Sequence, residues 1–187
     1  MRILIADDEA LTRMGLRTML EEMGHTIVGA AADGMTALRL ARQVRPDLVI
    51  LDIRMPGMNG LDVAEAMARQ CPVPVVMLTA YSERDLVERA AATEVIQAYL
   101  VKPVREAELA PALELAVARF TEMQALRQEA SSYQEALEAR AIVARAKRVL
   151  MEHQGLTEQE SFRVIQHRAR RERRTMRQVA EEILTFS

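Results

Sequence analysis

Two apolar runs of this sequence end on carboxylates, which a buried segment tolerates only if the acids reach water, hold a cation or react. The run RILIA (2–6) is followed by Asp7 and Asp8, and the run DLVIL (47–51) is followed by Asp52. If these acids converge, their repulsion raises their pKa values unless a cation neutralises them. Mg²⁺ is the natural occupant of such a cluster, because it is a hard ion held by one or two carboxylates together with waters and phosphate oxygens.

Two further apolar runs end on groups that can bind phosphate oxygens. The run PVVMLT (74–79) ends on Thr79, and the run QAYLV (97–101) is followed by Lys102. A carboxylate beside Mg²⁺ can attack phosphorus and form an acyl phosphate, and this transfer needs charge neutralisation by the metal, an ammonium and a hydroxyl. Together these residues would make a phosphoryl-accepting site.

An alternation of strand-like and helix-like segments over residues 1–120 predicts the fold that brings these groups together. A fifth apolar run, TIVGAA (26–31), completes the strands. The helical segments between them are ALTRMGLRTMLEEMG (10–24), GMTALRLARQV (34–44), GLDVAEAMARQ (60–70) and ERDLVERAAATE (83–94). Continuous apolar strands separated by helices favour a doubly wound parallel sheet covered on both faces, with ligands bound outside the carboxyl ends of its strands.

From Val104 onward the chain is predicted to be helical. One long helix ends at Gly155, and Thr157 with Glu160 forms a capping box for the next helix. A last helix starts at Thr175. The C-terminal region is therefore predicted to form three helices, and the first of them could be the end of the long helix.

The apolar stripe of the long helix has two interpretations. It either packs on the sheet and C-terminal helices of its own chain or pairs with another chain. Two consecutive three-residue steps around one of its members break the register of an ideal coiled coil. The stripe consists of Leu109, Leu113, Ala116, Phe120, Met123, Leu126, Ala130, Tyr133 and Leu137.

The formal net charge of −2 over 187 residues hides an asymmetry. Residues 1–139 hold 14 basic and 21 acidic side chains, a net charge of −7, whereas residues 140–187 hold 11 and 6, a net charge of +5. This division predicts two modules, the second either facing an anionic partner or presenting a solvated basic surface. The sequence contains no apolar run of about 20 residues, no signal-peptide pattern and a single cysteine, Cys71. These features favour a cytoplasmic protein without membrane association.

Four blocks of the sequence together resemble the defining motifs of two-component receiver domains. They are ILIADDE (3–9), DLVILDIRMPGMNGLD (47–62), VVMLTAY (75–81) and AYLVKP (98–103). The resemblance implies a flavodoxin-like fold with strand order 2-1-3-4-5 and phosphorylation of Asp52 by a sensor histidine kinase. It also implies that Asp8, Asp52 and the backbone carbonyl of Arg54 bind Mg²⁺, and that Asp7 acts through a water molecule.

The same resemblance implies further roles near the fifth strand. Thr79 and Lys102 would hold the phosphoryl oxygens, Tyr99 would be the aromatic rotamer switch, and the Lys102–Pro103 peptide bond would be cis. One stretch departs from the family pattern, because AATEVIQAYLVKP (91–103) lacks a Gly-Ala pair before the strand and has one extra residue. We therefore expect a different turn there, on the face through which receivers usually signal.

The basic segment 140–177 predicts contact with nucleic-acid phosphates, and its charge alone fits either a DNA recognition helix or a reader of RNA loops. Residues 139–184 resemble an ANTAR domain, a three-helix antiterminator module that binds RNA. In that family small alanines let the helices approach closely, and we expect Phe162 to fill the gap between them. The matching positions are Ala146, Lys147, Leu150, Gly155, Glu160, Phe162, Ala169, Val179 and Ala180.

Two positions depart from the ANTAR pattern. Arg148 replaces a usual glycine and adds charge to the predicted RNA face, and Ser161 replaces a usual alanine before the aromatic residue. The candidate RNA contacts are Arg145, Lys147, Arg148, Arg168, Arg170 and Arg174.

The whole chain is thus predicted to be a response regulator with a receiver at 1–120, a helical linker at 121–139 and an ANTAR domain at 140–187. We expect phosphorylation to favour binding of terminator-proximal RNA hairpins, so that transcription continues, and a phosphorylation-dependent homodimer is one form this response can take. The alternative is a DNA-binding regulator with a helix-turn-helix output.

A phosphatase of the haloacid-dehalogenase type is disfavoured, because Arg54 stands where such enzymes place a second aspartate. The chain is expected to catalyse only its own phosphorylation and dephosphorylation.

Overall fold

The computed structural model describes residues 1–80 and 93–185. The chain divides into two compact units, Met1–Gln124 and Ala125–Ser187. The helix predicted at 83–94 lies almost wholly outside the described residues.

The first unit is built on a five-stranded parallel sheet. Its strands are β1 (Arg2–Ala6), β2 (Thr26–Ala31), β3 (Leu48–Asp52), β4 (Val75–Thr79) and β5 (Ile96–Val101). They lie in the order β2-β1-β3-β4-β5, and every neighbouring pair is parallel. The predicted doubly wound, flavodoxin-like fold is confirmed, and each strand lies within one residue of its predicted bounds.

Helices cover both faces of this sheet, which is why its central strands are continuously apolar. Alternate residues of β3 show the division: Leu48 and Ile50 belong to one core cluster, whereas Val49 and Leu51 belong to the other. The described helices of this unit are α1 (Ala10–Glu22), α2 (Gly34–Val44), α3 (Gly60–Gln70) and the start of α4 (Glu106–Gln154). The cluster with Leu48 includes residues of α1 and α4, and the cluster with Val49 includes residues of α2 and α3.

One residue of β5 has no pairing partner on β4. The pairing of β4 with β5 shifts register between Val75 and Val76, so that Gln97 is left unmatched in the described sheet. This is the behaviour of a β-bulge, in which one strand carries one residue more than its neighbour. The backbone amide of Lys102 still donates to the carbonyl of Thr79 at 2.9 Å, so the register at the functional end of the strand is kept.

The stripe on α4 changes environment along its 49 residues. Leu109 and Leu113 are fully buried in the core of the first unit, which confirms packing on the chain's own sheet for this part. Farther along, Leu126 is 60% exposed, and Tyr133 and Leu137 are each 64% exposed. The second part of the stripe therefore has a surface open to another partner.

Three helices form the core of the second unit: the end of α4, α5 (Glu158–Glu172) and α6 (Met176–Thr185). Thr157 and Glu160 form the predicted capping box at the start of α5, and Gly155 takes a φ of +66° just beyond the end of α4. Small side chains lie in the core between these helices. These are the predicted alanines Ala146, Ala169 and Ala180, of which all are buried.

Phe162 does not fill the gap between these helices, contrary to expectation. The buried stripe of α5 consists of Ser161, Ile165 and Ala169, each four residues after the last, whereas Phe162 is 40% exposed. Successive residues of a helix point about 100° apart, so burial of residue 161 turns the next side chain away from the core.

Within residues 1–80 and 93–185, none of the helices has the length and apolar character that crossing a bilayer requires.

Candidate functional site

The carboxyl ends of four strands meet at one edge of the sheet and bring the predicted site residues together. Asp7 directly follows β1, Asp52 is the last residue of β3, Thr79 is the last residue of β4, and Lys102 directly follows β5. Asp7 is fully buried, and Asp52 and Thr79 are 4% and 5% exposed. Buried polar groups of this kind are stable only with fixed polar partners.

Lys102 joins two of the carboxylates. Its Nζ lies 2.7 Å from Oδ2 of Asp7 and 3.0 Å from Oδ2 of Asp52. Burial on its own lowers the pKa of Lys102, but the interactions with Asp7 and Asp52 together outweigh burial and raise this pKa above its usual value. Lys102 therefore remains an ammonium at the centre of the site.

Asp52 shows a different balance of the same effects. Burial raises the pKa of Asp52 from 3.8 to about 6; Lys102 acts in the opposite direction, and the charges of Asp7 and Asp8 add to the rise. A carboxyl group with this pKa is mostly ionised at neutral pH, yet it is more basic than an ordinary aspartate.

The three acids form a set of hard oxygen donors. Carboxylate oxygens of Asp7, Asp8 and Asp52 all lie within 4.8 Å of one another, with Asp8 on the exposed side. Asp8 and the predicted ligand Arg54 line one cleft of about 350 Å³. Three carboxylates and the ammonium of Lys102 leave two formal negative charges, which suits a divalent ion that prefers oxygen. The residues present therefore fit Mg²⁺.

Thr79 and Tyr99 lie on the two strands beside this centre. The hydroxyl of Thr79 donates to the carbonyl of Ala80 at 3.0 Å. Tyr99 packs against the core cluster of α2 and α3, and its buried hydroxyl has no hydrogen-bond partner among the described residues. Burial also raises the pKa of Tyr99. The Lys102–Pro103 bond is cis, as the receiver resemblance implied.

The six predicted RNA contacts fall into two groups in the second unit. Arg145, Arg148 and Arg170 are exposed and form no ion pair with another described residue. Lys147, by contrast, places its Nζ 2.5 Å from Oε1 of Glu158, and this ion pair lowers the pKa of Glu158.

Arg168 and Arg174 are the remaining candidates, and both belong to an ion-pair cluster that joins α5 to α6. Nε of Arg168 lies 3.0 Å from Glu172, Nη1 of Arg174 lies 3.2 Å from Glu172, and both arginines also contact Glu182. These two side chains would have to exchange a carboxylate for a phosphate to bind RNA, so their role stays a prediction.

Models of two known families match the two units. A response regulator receiver domain matches residues 3–114, and an ANTAR domain matches residues 131–184. The chain belongs to the response regulators, with ANTAR as its output domain.

Relatives of this response regulator include another protein of similar length. The chain is 50% identical over 183 residues to the transcriptional regulatory protein PdtaR of Mycobacterium tuberculosis (strain ATCC 25618 / H37Rv), covering 98% of this chain and 89% of the relative. It is also 42% identical over 119 residues to the positive alginate biosynthesis regulatory protein of Pseudomonas aeruginosa, covering 62% of this chain and 47% of that protein.

Solved receiver structures share the fold of the first unit. The REC domain of AraT, a response regulator from Geobacillus stearothermophilus, has a TM-score of 0.57 and 32% identity, covering 68% of this chain and 97% of that one. The signal receiver domain of a modulated diguanylate cyclase from Desulfovibrio desulfuricans G20 has a TM-score of 0.61 and 28% identity, covering 65% and 97%.

Two residues of the receiver pocket were not singled out from the sequence. Nη1 of Arg13 donates to the carbonyls of Asp7 at 2.7 Å and Asp8 at 3.0 Å, which holds the loop that carries both acids. Gly60 is the first residue of α3. A Cβ atom at this position would lie 2.0 Å from the carbonyl oxygen of Asp52, so no larger residue fits. An arginine in an amphipathic helix has no distinguishing pattern, but a glycine directly after a helix-capping asparagine was a usable signal.

Proposed function

We propose that this response regulator accepts a phosphoryl group on Asp52 from a sensor histidine kinase and then binds RNA hairpins near a terminator, so that transcription continues. The observation that carries the proposal is the ammonium of Lys102, which lies within 3.0 Å of both Asp7 and Asp52. An ammonium held beside a buried carboxylate provides the positive charge that an arriving phosphoryl group needs.

Mg²⁺ is the proposed cofactor. Asp8, Asp52 and the backbone carbonyl of Arg54 would bind the ion directly, and Asp7 would act through a water molecule. When bound, the ion would neutralise charge on the oxygens of the phosphoryl group. The convergence of the three carboxylates supports this assignment.

In the proposed transfer Asp52 is the nucleophile. One carboxylate oxygen forms a bond to phosphorus while the bond from phosphorus to the histidine nitrogen of the kinase breaks, and the imidazole leaves with the electron pair. Lys102 and the hydroxyl of Thr79 hold the phosphoryl oxygens. Hydrolysis of the same acyl phosphate resets the site, and we propose no other enzymatic activity.

The phosphoryl charge also gives the site a switch. It offers Lys102 and Thr79 a new anionic partner and draws both side chains toward residue 52. Tyr99, on the strand that leads to Lys102, would then change position, and its unpaired buried hydroxyl supports such a move. The change would free the ANTAR domain or allow it to pair with a second copy.

The ANTAR domain is the proposed RNA-binding surface. Arg145, Arg148 and Arg170 are exposed and can contact phosphates without breaking an ion pair with a described residue. The other candidates exchange a carboxylate for a phosphate when RNA binds. Helical basic surfaces of this kind suit hairpin loops, whose bases are unstacked and accessible.

A gel-shift titration with RNA that co-purifies with the full chain tests the proposal. Treatment with acetyl phosphate and Mg²⁺ should raise the RNA affinity of the wild type by at least about fivefold, within the usual range of allosteric effects, and should leave the Asp52→Ala variant unchanged. Equal affinity in both proteins after treatment would contradict the link between phosphorylation and RNA binding.

A competition at fixed salt separates this proposal from a DNA-binding output. Unlabelled hairpin RNA should displace the probe at much lower concentration than duplex DNA of the same length. Displacement by duplex DNA at equal concentration would favour the DNA-binding alternative instead.

A further inference from the structure

Phe162 is the largest apolar side chain of α5, yet it lies on the surface of the ANTAR domain. The ring is 40% exposed, and it is not part of the core cluster that contains Ala146, Ile165 and Val179. Leaving an aromatic ring in water forgoes the stabilisation that burial would give. Single exposed apolar side chains are common on protein surfaces, so it is the surroundings of this ring that point to a role.

The ring borders a groove of about 500 Å³ in the second unit. Ala139, Val143 and Ala144 of α4 line one side, and Met176 of α6 lines another. The volume lies within the range of small-ligand sites, and the small alanines leave the face of the groove open beside the aromatic ring.

The rim of this groove is cationic. Arg140, Lys147 and Arg177 line it, and no acidic side chain of the described residues does. Arg177 pairs with Glu181 at 2.9 Å and with Glu138 at 3.7 Å, and Lys147 pairs with Glu158. Arg140 is exposed and forms no ion pair with a described residue, so it carries the uncompensated positive charge of the rim. An apolar floor below a positive rim is complementary to a flat apolar group attached to an anion, and a nucleobase with its phosphate is such a group.

We propose that this groove takes up one unpaired nucleobase of an RNA loop, which stacks on the ring of Phe162. Arg140 and Lys147 then pair with the flanking phosphates, and Glu158 gives up Lys147 to the RNA. Aromatic side chains are the groups on which splayed-out loop bases stack, and this stacking tolerates any base. The inference rests on the proposed RNA binding and adds the residue on which the base stacks.

Fluorescence of 2-aminopurine tests the stacking in the full, acetyl-phosphate-treated chain. The probes are synthetic RNA hairpins with one common stem and purine-only loops, in which 2-aminopurine occupies each loop position in turn. The wild type should quench the fluorescence at one position. Phe162→Leu should abolish that quenching and weaken binding by about 5- to 150-fold, and Phe162→Tyr should keep both.

Val164 offers a matched control, because it lies on the same helix, is also 40% exposed and does not line the groove. Val164→Ala should leave affinity and quenching unchanged. Arg140→Gln tests the rim separately: it should reduce the slope of log affinity against log salt by about 1, whereas Phe162→Leu should leave that slope unchanged.

The outcomes separate this inference from the function on which it rests. If the wild type binds no hairpin of the set, RNA binding itself fails. If Phe162→Leu binds and quenches like the wild type, RNA binding stands and the stacking inference fails. If Phe162→Leu turns a dimer into a monomer in sedimentation, the groove belongs to a second copy of the chain and the inference is overturned.

Discussion

The ammonium nitrogen of Lys102 lies 3.0 Å from Oδ2 of Asp52, and the same nitrogen lies 2.7 Å from Oδ2 of Asp7. One cation therefore compensates two buried carboxylates, so its removal should cost more than the loss of a surface ion pair.

We predict that Lys102→Met lowers the free energy of unfolding of the receiver without Mg²⁺ by about 1–3 kcal/mol. The loss is smaller than for a fully buried pair because the Lys102 side chain is 20% exposed. Adding Asp52→Asn to this variant should restore part of the loss, since one unpaired carboxylate disappears. Urea unfolding measures both changes. If Lys102→Met is as stable as the wild type, the ion pairs of Lys102 contribute little to stability.

Mg²⁺ should stabilise the receiver through the three converging acids. At a concentration ten times its Kd, the ion should raise the free energy of unfolding by about 1.4 kcal/mol, and chelation should reverse the gain. Asp8→Ala should lose most of this gain in a thermal-shift titration. Glu65→Gln, which removes an exposed carboxylate on α3, should keep it. Equal gains in both variants would place the ion elsewhere.

The receiver pocket could be predicted from the sequence because two signals coincide there. The apolar runs set the strands, and the edge rule for parallel sheets then places the residues after each run at one site. Asp7, Asp52 and Lys102 lie at the ends of such runs, so their position at one edge of the sheet could be predicted. Arg13 could not be found this way, because its contact depends on a long side chain reaching back to backbone carbonyls.

The ANTAR core shows where pattern reasoning fails. Ala146, Ala169 and Ala180 were expected between the helices, and all three are buried in their shared core. Phe162 was expected in the core, because an aromatic residue is normally a good core group, but it is 40% exposed and its neighbour Ser161 is buried instead. The face of α5 that turns to the core is determined by its whole buried stripe rather than by its most apolar residue. That face could not be predicted from one position.

Ser161 provides a stability prediction from the same observation. The residue is fully buried, and its hydroxyl oxygen has no hydrogen-bond partner among the described residues. Ser161→Ala removes an unsatisfied polar group without leaving a large cavity, so it should stabilise the ANTAR domain by about 1 kcal/mol in calorimetry. Ser132→Ala is the control on an exposed site and should change little. Destabilisation by Ser161→Ala would reveal a partner for the hydroxyl.

The ion-pair cluster between α5 and α6 predicts a dependence on acid pH. Arg168 lowers the pKa of Glu172, and Arg174 lowers the pKa of Glu182, in both cases below the ordinary value of 4.5. Because the folded pKa values are depressed, the stabilisation is fully present above the unfolded pKa and is lost as pH falls through the folded values.

Calorimetry from pH 7 to about pH 3 should therefore show the Tm of the ANTAR domain falling below about pH 4.5. The Glu172→Gln/Glu182→Gln variant should flatten this fall, and Glu152→Gln, an exposed carboxylate outside the cluster, should not. If Tm falls equally with pH in the wild type and both variants, other acidic residues control the loss of stability.

The exposed stripe on α4 predicts a pairing surface for a second copy of the chain. Leu126, Tyr133 and Leu137 are 60%, 64% and 64% exposed, and their spacings of seven and four residues are those of a coiled-coil seam. Leu126→Glu/Leu137→Glu should keep the phosphorylated chain monomeric in light scattering. Phosphorylation of Asp52 should be unaffected, because the substituted residues lie outside its pocket. Gln128→Glu adds charge to an exposed position outside the stripe and should leave a dimer intact. A phosphorylated wild type that stays monomeric at all concentrations would remove this role from the stripe.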